Sequence, residues 1–304
     1  MTPAVDAPAP GRAKRRYPDT KVGLLMVVPA VVLLGIFVIW PVIYAIYLSF
    51  HNWSFYKDPV FVGIRNYSFV LRDPLFLAAV RRGFIFVLMV VPIMLVLGFL
   101  FANLVVSVSR RLAGVLKVSI YVPTIISSVI ASVIFWIIYN FPGGLLNAIL
   151  ALFGIKAVAW IGNPAWALAA IAVPAIWLGL GLTSLIMVAA LVDVPAEFYE
   201  AASMEGANWW QKTLYISLPQ MKNILLYLLI TGFVAALQQF ELPLIMTGGG
   251  PVSSTTTPNL YIFNQFRTNM NAGYPIAAAL LIFVILGTVS ALMFRVINSE
   301  KVVD

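Results

Sequence analysis

The sequence predicts an all-α protein that crosses a membrane six times, and three observations lead to this prediction. The first is composition: the 304 residues are 62% hydrophobic and only 10% charged, with a mean hydropathy of +0.98. A soluble domain is about half apolar and about a quarter charged. So little charge excludes an ordinary cytoplasmic enzyme, a disordered chain and a coiled coil, and it makes lipid the main solvent.

Six long apolar runs are the second observation. An α-helix needs about 20 mostly apolar residues to cross a bilayer. The first run, from Val22 to about Tyr47, is too long for the apolar region of a signal peptide and is predicted to be retained. Prolines within the runs are tolerated where neighbouring helices satisfy the freed carbonyl groups. The six runs are approximately 22–50, 79–108, 115–139, 164–191, 222–246 and 273–297.

The distribution of positive charge is the third observation. The formal net charge is +8, and five positive residues directly precede the first run, where the positive-inside rule places them: Arg12, Lys14, Arg15, Arg16 and Lys21. Both termini are therefore predicted to be cytoplasmic tails, 1–21 and 299–304, around a transmembrane domain at 22–298. Arg81 and Arg82 oppose this bias, and they either snorkel to headgroups or face a polar cavity.

Two loops between the runs are predicted to contain short helices. Loop 51–78 is rich in Trp and Tyr, which favour the membrane interface, and Arg65–Leu71 forms a surface helix there. In loop 140–163, the segment Leu145–Phe153 is too short to span and is predicted to lie at the interface.

Acidic residues are concentrated between the fourth and fifth runs, where Asp193, Glu197, Glu200 and Glu205 lie close together. The pattern predicts a helix, a turn and a second helix. Asp193 is expected to cap the first helix, Gly206 to end it in a left-handed conformation, and Asn208 to form a capping box with Gln211.

This acidic segment has two interpretations. It is either a solvated loop or a docking surface for a partner on the inner side. The adjacent Trp209 and Trp210 favour docking, since exposed tryptophans mark surfaces that become buried.

A longer motif in the same segment resembles the EAA loop of ABC importer permeases. Glu200-Ala201-Ala202 is followed by Gly206 and then by Ile216-x-Leu218-Pro219 at the family's spacing. The resemblance implies that segment 192–221 is the coupling helix, which docks on a separate cytoplasmic ATPase. The coupling residues implied are Glu197, Glu200, Ala201, Ala202, Gly206, Trp209, Ile216, Leu218 and Pro219.

A second group of motifs is similar to carbohydrate permeases of the MalF class. Phe240-Glu241 precedes Met246-Thr247-Gly248-Gly249-Gly250-Pro251, and upstream stand Val62-Gly63-x-Arg65-Asn66-Tyr67 and Asp73-Pro74-x-Phe76. The resemblance covers nearly all of 20–298 and implies the type I importer permease fold. Gly248–Gly250 is interpreted as a tight outer loop, since no G-x-x-x-x-G-K-S/T phosphate loop occurs in this chain.

Polar groups within the apolar runs are the candidates for solute contact. Glu241 is the only acid in a predicted span, and Gln238 and Gln239 precede it; amides in a span need hydrogen bonds or a wet cavity. For Glu241, a purely structural partnership is the alternative. The resemblance adds positions on spans three, four and five, for which ordinary helix packing is the alternative. The substrate-pathway candidates are Thr124, Ser128, Trp177, Gly179, Leu182, Ala236, Gln238, Gln239 and Glu241.

The resemblance implies a permease subunit that forms half of a path for a sugar, oligosaccharide or polyol. The implied partners are a second permease, a cytoplasmic ATPase dimer that binds ATP and Mg, and an extracytoplasmic binding protein. The implied location is the plasma membrane of a bacterium or archaeon. A stand-alone secondary transporter or channel is the alternative. A membrane enzyme needs a catalytic constellation, which a chain with no Cys and the single His51 does not offer, and no metal site is predicted.

Overall fold

A computed structural model describes residues 20–54 and 56–297 of the chain. The predicted tails 1–21 and 299–304 fall almost wholly outside the described residues, and with them Arg12, Lys14, Arg15, Arg16 and Lys301. The chain divides into a first unit that ends at Tyr47 and a second that begins at Leu48.

The first unit is the predicted first span. It consists of α1 (Thr20–Leu34), a π-helical turn (Gly35–Ile39) and α2 (Trp40–Ser49), whose last two residues belong to the second unit. Apolar side chains such as Leu25, Met26 and Phe37 are exposed along this unit. Continuous helix with apolar residues all round is what a membrane span requires.

The second unit contains a two-stranded antiparallel hairpin and thirteen helices among its described residues. Six of these helices are shorter than ten residues, and a π-helical turn at Thr213–Ser217 joins two of the short ones. The elements are β1 (His51–Ser54), β2 (Lys57–Phe61), α3 (Arg65–Arg72), α4 (Pro74–Ser107), α5 (Arg110–Ile125), α6 (Ser128–Ile138), α7 (Leu145–Leu152), α8 (Ala167–Val192), α9 (Ala196–Met204), α10 (Trp209–Lys212), α11 (Leu218–Gln220), α12 (Lys222–Leu237), α13 (Glu241–Thr247), α14 (Pro258–Thr268) and α15 (Gly273–Ile297).

The predicted spans are recovered, with two differences. Among the described residues, five helical stretches are long and apolar enough to cross a membrane, and α5 with α6 forms a sixth if the bent pair counts as one span. The second span begins at Pro74 rather than at 79, because Asp73 caps it and accepts a hydrogen bond from the Leu75 N–H at 2.8 Å. Arg81 and Arg82 therefore lie in the third turn of α4, not at its first residues.

The third predicted span, at 115–139, is not one continuous helix. The helix begins at Arg110 and breaks between Ile125 and Ser128, and the two halves meet at 96°. Ile126 and Ser127 are extended, and the Ser127 hydroxyl caps α6 by accepting from the Val129 N–H at 3.2 Å. Pro123 removes one backbone donor in the last turn before this break.

The helices pack around α4 and α8, which lie against each other along much of their length. Gly181 on α8 allows α5 to approach closely, because a β-carbon there would lie 2.5 Å from the Ile120 carbonyl oxygen and from the Thr124 hydroxyl. One apolar cluster, with Phe86, Ile171 and Phe233, fills the centre of the bundle. A second, with Val105, Leu191 and Met221, lies where α8 ends and α12 begins.

The short elements also agree with the sequence, apart from the hairpin. The helices expected at 65–71 and 145–153 are α3 and α7. The hairpin β1–β2, in which His51 pairs with Phe61, was not predicted.

Candidate functional site

The segment between α8 and α12 folds as two short helices joined by a turn, as predicted. One expectation for it is wrong: Asp193 ends α8, and Pro195 precedes α9 with no side-chain cap. Glu197 lies in the first turn of α9, where its charge complements the helix dipole.

The turn and the second helix have the predicted backbone features. Gly206 has a φ of +77°, which residues with a side chain rarely adopt, whereas a β-carbon at this position would meet no other atom within 4 Å. Glycine is therefore required here for its backbone conformation and not for lack of space. The Gln211 N–H donates to the Asn208 side chain at 3.0 Å, and the Asn208 N–H donates to the Gln211 side chain at 2.7 Å. This is the predicted capping box.

Side-chain hydrogen bonds within the segment hold the two helices together. The Tyr199 and Ser217 hydroxyls are 2.9 Å apart, and Lys212 Nζ donates to the Ser203 hydroxyl at 2.8 Å. Thr213 and Ser217 are buried in the π-helical turn, and Met221 anchors the end of the segment in the second apolar cluster. The segment is therefore a stiff unit fixed to α4 and α8 at its base.

The outward surface of the segment carries most of the predicted coupling residues. Glu197, Glu200, Ala201, Gly206, Trp209 and Pro219 are exposed, whereas Ala202, Ile216 and Leu218 are half-buried. The rings of Trp209 and Trp210 meet edge to face at 4.7 Å, and Trp210 is 65% exposed. An exposed aromatic pair beside carboxylates fits a surface that is covered by a protein partner.

A cavity of about 290 Å³ lies between α4, α5, α8 and α12. Five of the nine predicted substrate-pathway residues line it: Thr124, Gly179, Leu182, Ala236 and Gln239. The sequence predicts that spans three, four and five line the cavity. It does not predict the contribution of α4, which adds Phe86, Val90 and Met94 to the lining. These α4 residues are apolar members of a long apolar run, so the sequence offers no signal that separates them from lipid-facing neighbours.

The cavity is mostly apolar, with a few polar groups that can orient a hydroxylated solute. The Thr124 hydroxyl donates to the Leu178 carbonyl at 3.0 Å, and the Thr231 hydroxyl donates to the Tyr227 carbonyl at 2.7 Å. Each hydroxyl oxygen can still accept a hydrogen bond. The Gln239 side-chain oxygen accepts from the Phe240 N–H at 3.1 Å, which leaves the amide nitrogen able to donate.

The other four predicted pathway residues lie elsewhere: Ser128, Trp177, Gln238 and Glu241. Ser128 on α6 donates a hydrogen bond to the Glu241 carboxylate at the start of α13, which is the structural partnership considered as an alternative. Trp177 packs edge-on against Phe135 at 5.6 Å, and Gln238 lines a separate groove with Asn259.

The fifth span is interrupted beside the cavity, at residues 238–240 between α12 and α13. The freed backbone carbonyls are satisfied by residues at the start of α14: the hydroxyl of Thr257, just before the helix, donates to Gln239 O at 2.7 Å, and Asn259 Nδ2 donates to Gln238 O at 2.9 Å. Irregular backbone at membrane depth is tolerated where it lines a cavity or is buried in protein. The interruption positions Gln239 at the cavity edge.

The Gly-rich motif after α13 forms the tight loop that the sequence predicts. Gly248 and Gly249 have φ values of +61° and +90°. The Thr255 hydroxyl donates to the Gly250 carbonyl at 2.8 Å and closes the loop. No group of three or more His, Cys, Asp and Glu is placed to hold a metal ion within 20–54 and 56–297.

The far end of the bundle, opposite the two-helix segment, brings distant motifs together. Asn66 Nδ2 donates to the Ser49 and His51 carbonyls at 2.8 and 3.0 Å, and Asn271 Nδ2 donates to Asn66 Oδ1 at 3.1 Å. The Tyr261 and Tyr274 hydroxyls both donate to the Asp73 carboxylate.

Burial and hydrogen bonding act in opposite directions on Asp73. Burial raises the pKa of Asp73, but hydrogen bonds from Tyr261, the Leu75 N–H and Tyr274 lower it, and the net pKa lies below its usual range. Burial and the carboxylate together raise the pKa of Tyr261.

The chain resembles known transport proteins over nearly its whole length. Residues 61–302 match the family described as binding-protein-dependent transport system inner membrane component. The sulfoquinovosyl glycerol transport system permease protein SmoG of Agrobacterium fabrum is 31% identical, over 93% of this chain and 92% of the relative. The trehalose/maltose transport system permease protein MalF of Thermococcus litoralis is 32% identical, over 90% of this chain and 92% of the relative.

A solved structure shares the fold. The crystal structure of a bacterial ABC transporter that imports the acidic polysaccharide alginate contains a chain that superimposes with a TM-score of 0.80, at 20% identity. The match covers 92% of this chain and 96% of that one.

Proposed function

We propose a transport function from one premise: the chain belongs to the family of binding-protein-dependent transport system inner membrane components. It is one of two membrane subunits of an ABC importer and forms half of the path for a carbohydrate. An extracytoplasmic binding protein delivers the solute, and a separate ATPase subunit supplies the energy. The importer lies in the plasma membrane of a bacterium or archaeon.

A carbohydrate or polyol is the solute class that the relatives and the cavity support. Relatives are named for transport of sulfoquinovosyl glycerol, of trehalose and maltose, and of lactose. The apolar walls of the cavity suit the faces of a sugar, and Thr124, Thr231 and Gln239 can exchange hydrogen bonds with hydroxyl groups.

The observation that carries the proposal is the exposed two-helix segment at 196–212, with its Glu200-Ala201-Ala202 and Gly206 motif. It is internally bonded and anchored at Met221 to α4 and α8, two of the helices that border the cavity. A force applied to a stiff segment moves its base rather than deforming the segment itself. Closure of a docked ATPase dimer would thus be passed to the cavity walls.

A conformational variant tests the coupling role. Gly206→Val places a β-branched side chain at a φ of +77°, which forces the turn to rearrange. We expect transport to fall about tenfold or more in proteoliposomes that contain the complete importer, while ATP hydrolysis continues. Gly154→Val is the matched control, since Gly154 has a φ of +69° and open space around it. Equal loss of uptake in both variants, or in neither, would contradict the coupling assignment.

The composition of the purified complex tests the importer itself. The tagged chain is extracted from its own membranes in mild detergent, and co-purifying proteins are identified by mass spectrometry. A stoichiometric ATPase and a second multi-span chain are expected. Uptake by this chain alone, in proteoliposomes without ATP, would favour a secondary transporter or channel instead.

A further inference from the structure

Arg82 presents a partly buried charge that the transport mechanism described above does not use. Its Nη1 atom is buried and has no hydrogen-bond partner among residues 20–54 and 56–297. The residue is half-buried on α4, whereas its neighbour Arg81 is exposed. A guanidinium is always charged, and a buried donor without a partner is unfavourable, so Arg82 Nη1 is a donor that a ligand can satisfy.

A small cavity beside Arg82 is lined mainly by uncharged polar side chains. A cavity of about 130 Å³ is lined by Arg82 together with Ser253, Thr256, Asn264 and Gln265, and no carboxylate lines it within the described part of the chain. The Asp73 carboxylate accepts from Tyr261, Tyr274 and the Leu75 N–H instead. The Thr256 hydroxyl donates to the Gly249 carbonyl, but the Ser253 hydroxyl and the Asn264 and Gln265 amides can donate, with the guanidinium, to one acceptor group.

The loop that forms one wall of this cavity is strained. Val252 and Ser253 have φ values of +50° and +57°, and residues other than glycine rarely adopt this conformation. Such strain persists where the surroundings fix it and is concentrated at ligand-binding positions. Ser253 is thereby held at the cavity opposite α4.

We propose that the Arg82 cavity binds a carboxylate group. The guanidinium fork matches a carboxylate in bidentate geometry, and the volume corresponds to roughly four water molecules, enough for the charged group but not for a whole saccharide. The group can come from an acidic saccharide or from an acidic side chain of a protein docked at this end of the bundle. Arg82 lies one helical turn before Phe86, which lines the larger cavity.

Binding of small probes to the full complex in nanodiscs tests the site directly. Acetate, D-glucuronate and D-glucose are titrated, and the thermal unfolding midpoint is followed. We expect the two carboxylates, but not glucose, to raise the midpoint. Arg82→Gln should weaken their binding by about tenfold or more, the equivalent of one charge-assisted hydrogen bond.

Arg81→Gln is the matched control and should behave as the wild type. If Arg82→Gln does not fold, Gln265→Leu removes a lining donor and should weaken carboxylate binding in the same direction. A response to D-glucuronate alone would assign the carboxylate to a saccharide. Identical responses of the wild type and both lining variants, or no response to either carboxylate, would overturn the proposal.

A final measurement separates the two sources of the carboxylate, and only this arm rests on the proposed function. The affinity of the extracytoplasmic binding protein for the complex is compared between wild type and Arg82→Gln without solute. Weaker docking assigns the group to an acidic side chain of that protein. Unchanged docking with lost D-glucuronate binding assigns it to the solute.

Discussion

The two ends of the helical bundle are held together in different ways. At the coupling end, the side-chain hydrogen bonds described above join residues at most 18 positions apart, such as Tyr199 and Ser217. At the hairpin end, formed by β1, β2, α3, α14 and residues 269–274, Asp73 bonds to Tyr274 across 201 positions and Trp53 to Asn271 across 218.

This difference corresponds to two mechanical tasks. A segment that is local in sequence can move as one piece and can be covered by a partner without disturbing the rest of the bundle. An end that is joined by long-range bonds keeps the starts of α4 and α15 in register with the hairpin. We therefore expect substitutions at the hairpin end to change global stability, and those at the coupling end to change coupling and local order.

The largest expected effect is at Gly273, where α15 begins. A β-carbon there would collide with the carbonyl oxygen of His51 and would lie 2.9 Å from that of Leu48. Both obstacles are backbone atoms, which cannot turn away. Gly273→Ala should cost about 3 kcal/mol or more of unfolding free energy, measured by thermal or denaturant unfolding in detergent.

Gly287→Ala is the matched control for this variant. It lies on the same helix with nothing within 4 Å of the added carbon, and it should leave stability unchanged or slightly higher. A Gly273→Ala protein as stable as this control would show that the hairpin end is not rigid.

A pair of asparagines sharpens the comparison between the two ends. Asn66 is 2% exposed and donates to two backbone carbonyls, so Asn66→Ala leaves buried acceptors unpaired and should cost about 2 kcal/mol. Asn208 caps α10 at the exposed coupling end, and Asn208→Ala should cost about 1 kcal/mol or less.

Hydrogen exchange distinguishes the two asparagine variants. Asn208→Ala should speed exchange only around residues 209–212, whereas Asn66→Ala should speed it throughout β1, α3 and the start of α15. If both variants produced the same exchange pattern, the distinction between a local and a long-range end would be wrong.

Sequence reasoning succeeded where the determinants are local. The six apolar runs, the Gly206 turn, the capping box of Asn208 with Gln211 and the tight loop at Gly248 each depend on residues a few positions apart. A periodic or spaced pattern contains the whole physical cause in these cases.

Sequence reasoning failed where the structure depends on a contact between segments that are distant in the chain. Proline is tolerated in many membrane helices, so Pro123 alone does not predict the 96° bend, which depends on the extended Ile126 and Ser127 and on packing against α8. The motifs with Asn66 and Asp73 were recognised singly, but nothing in their spacing indicates that both contact the start of α15 or the residues just before it. The same holds for Ser128 and Glu241, which pair across 113 positions and do not line the 290 Å³ cavity.

A small effect is also expected from the charge at the hairpin end. Because the pKa of folded Asp73 is lowered, its ionised form stabilises the fold above the unfolded pKa of about 3.9, and this contribution is lost as pH falls through the lower folded pKa. Asp73→Asn keeps an acceptor for Tyr261 and Tyr274 but removes the charge, so it should cost about 1 kcal/mol at neutral pH. The difference in unfolding midpoint between wild type and variant should therefore become smaller as the pH is lowered from 7 to 3.

Asp58→Asn is the control for this variant. Asp58 lies at an exposed position of β2, and the Asp58→Asn protein should have the unfolding midpoint of the wild type at both pH values. A difference for Asp73→Asn that stays constant over this range would mean that geometry, and not charge, is what the two tyrosines require at this end of the bundle.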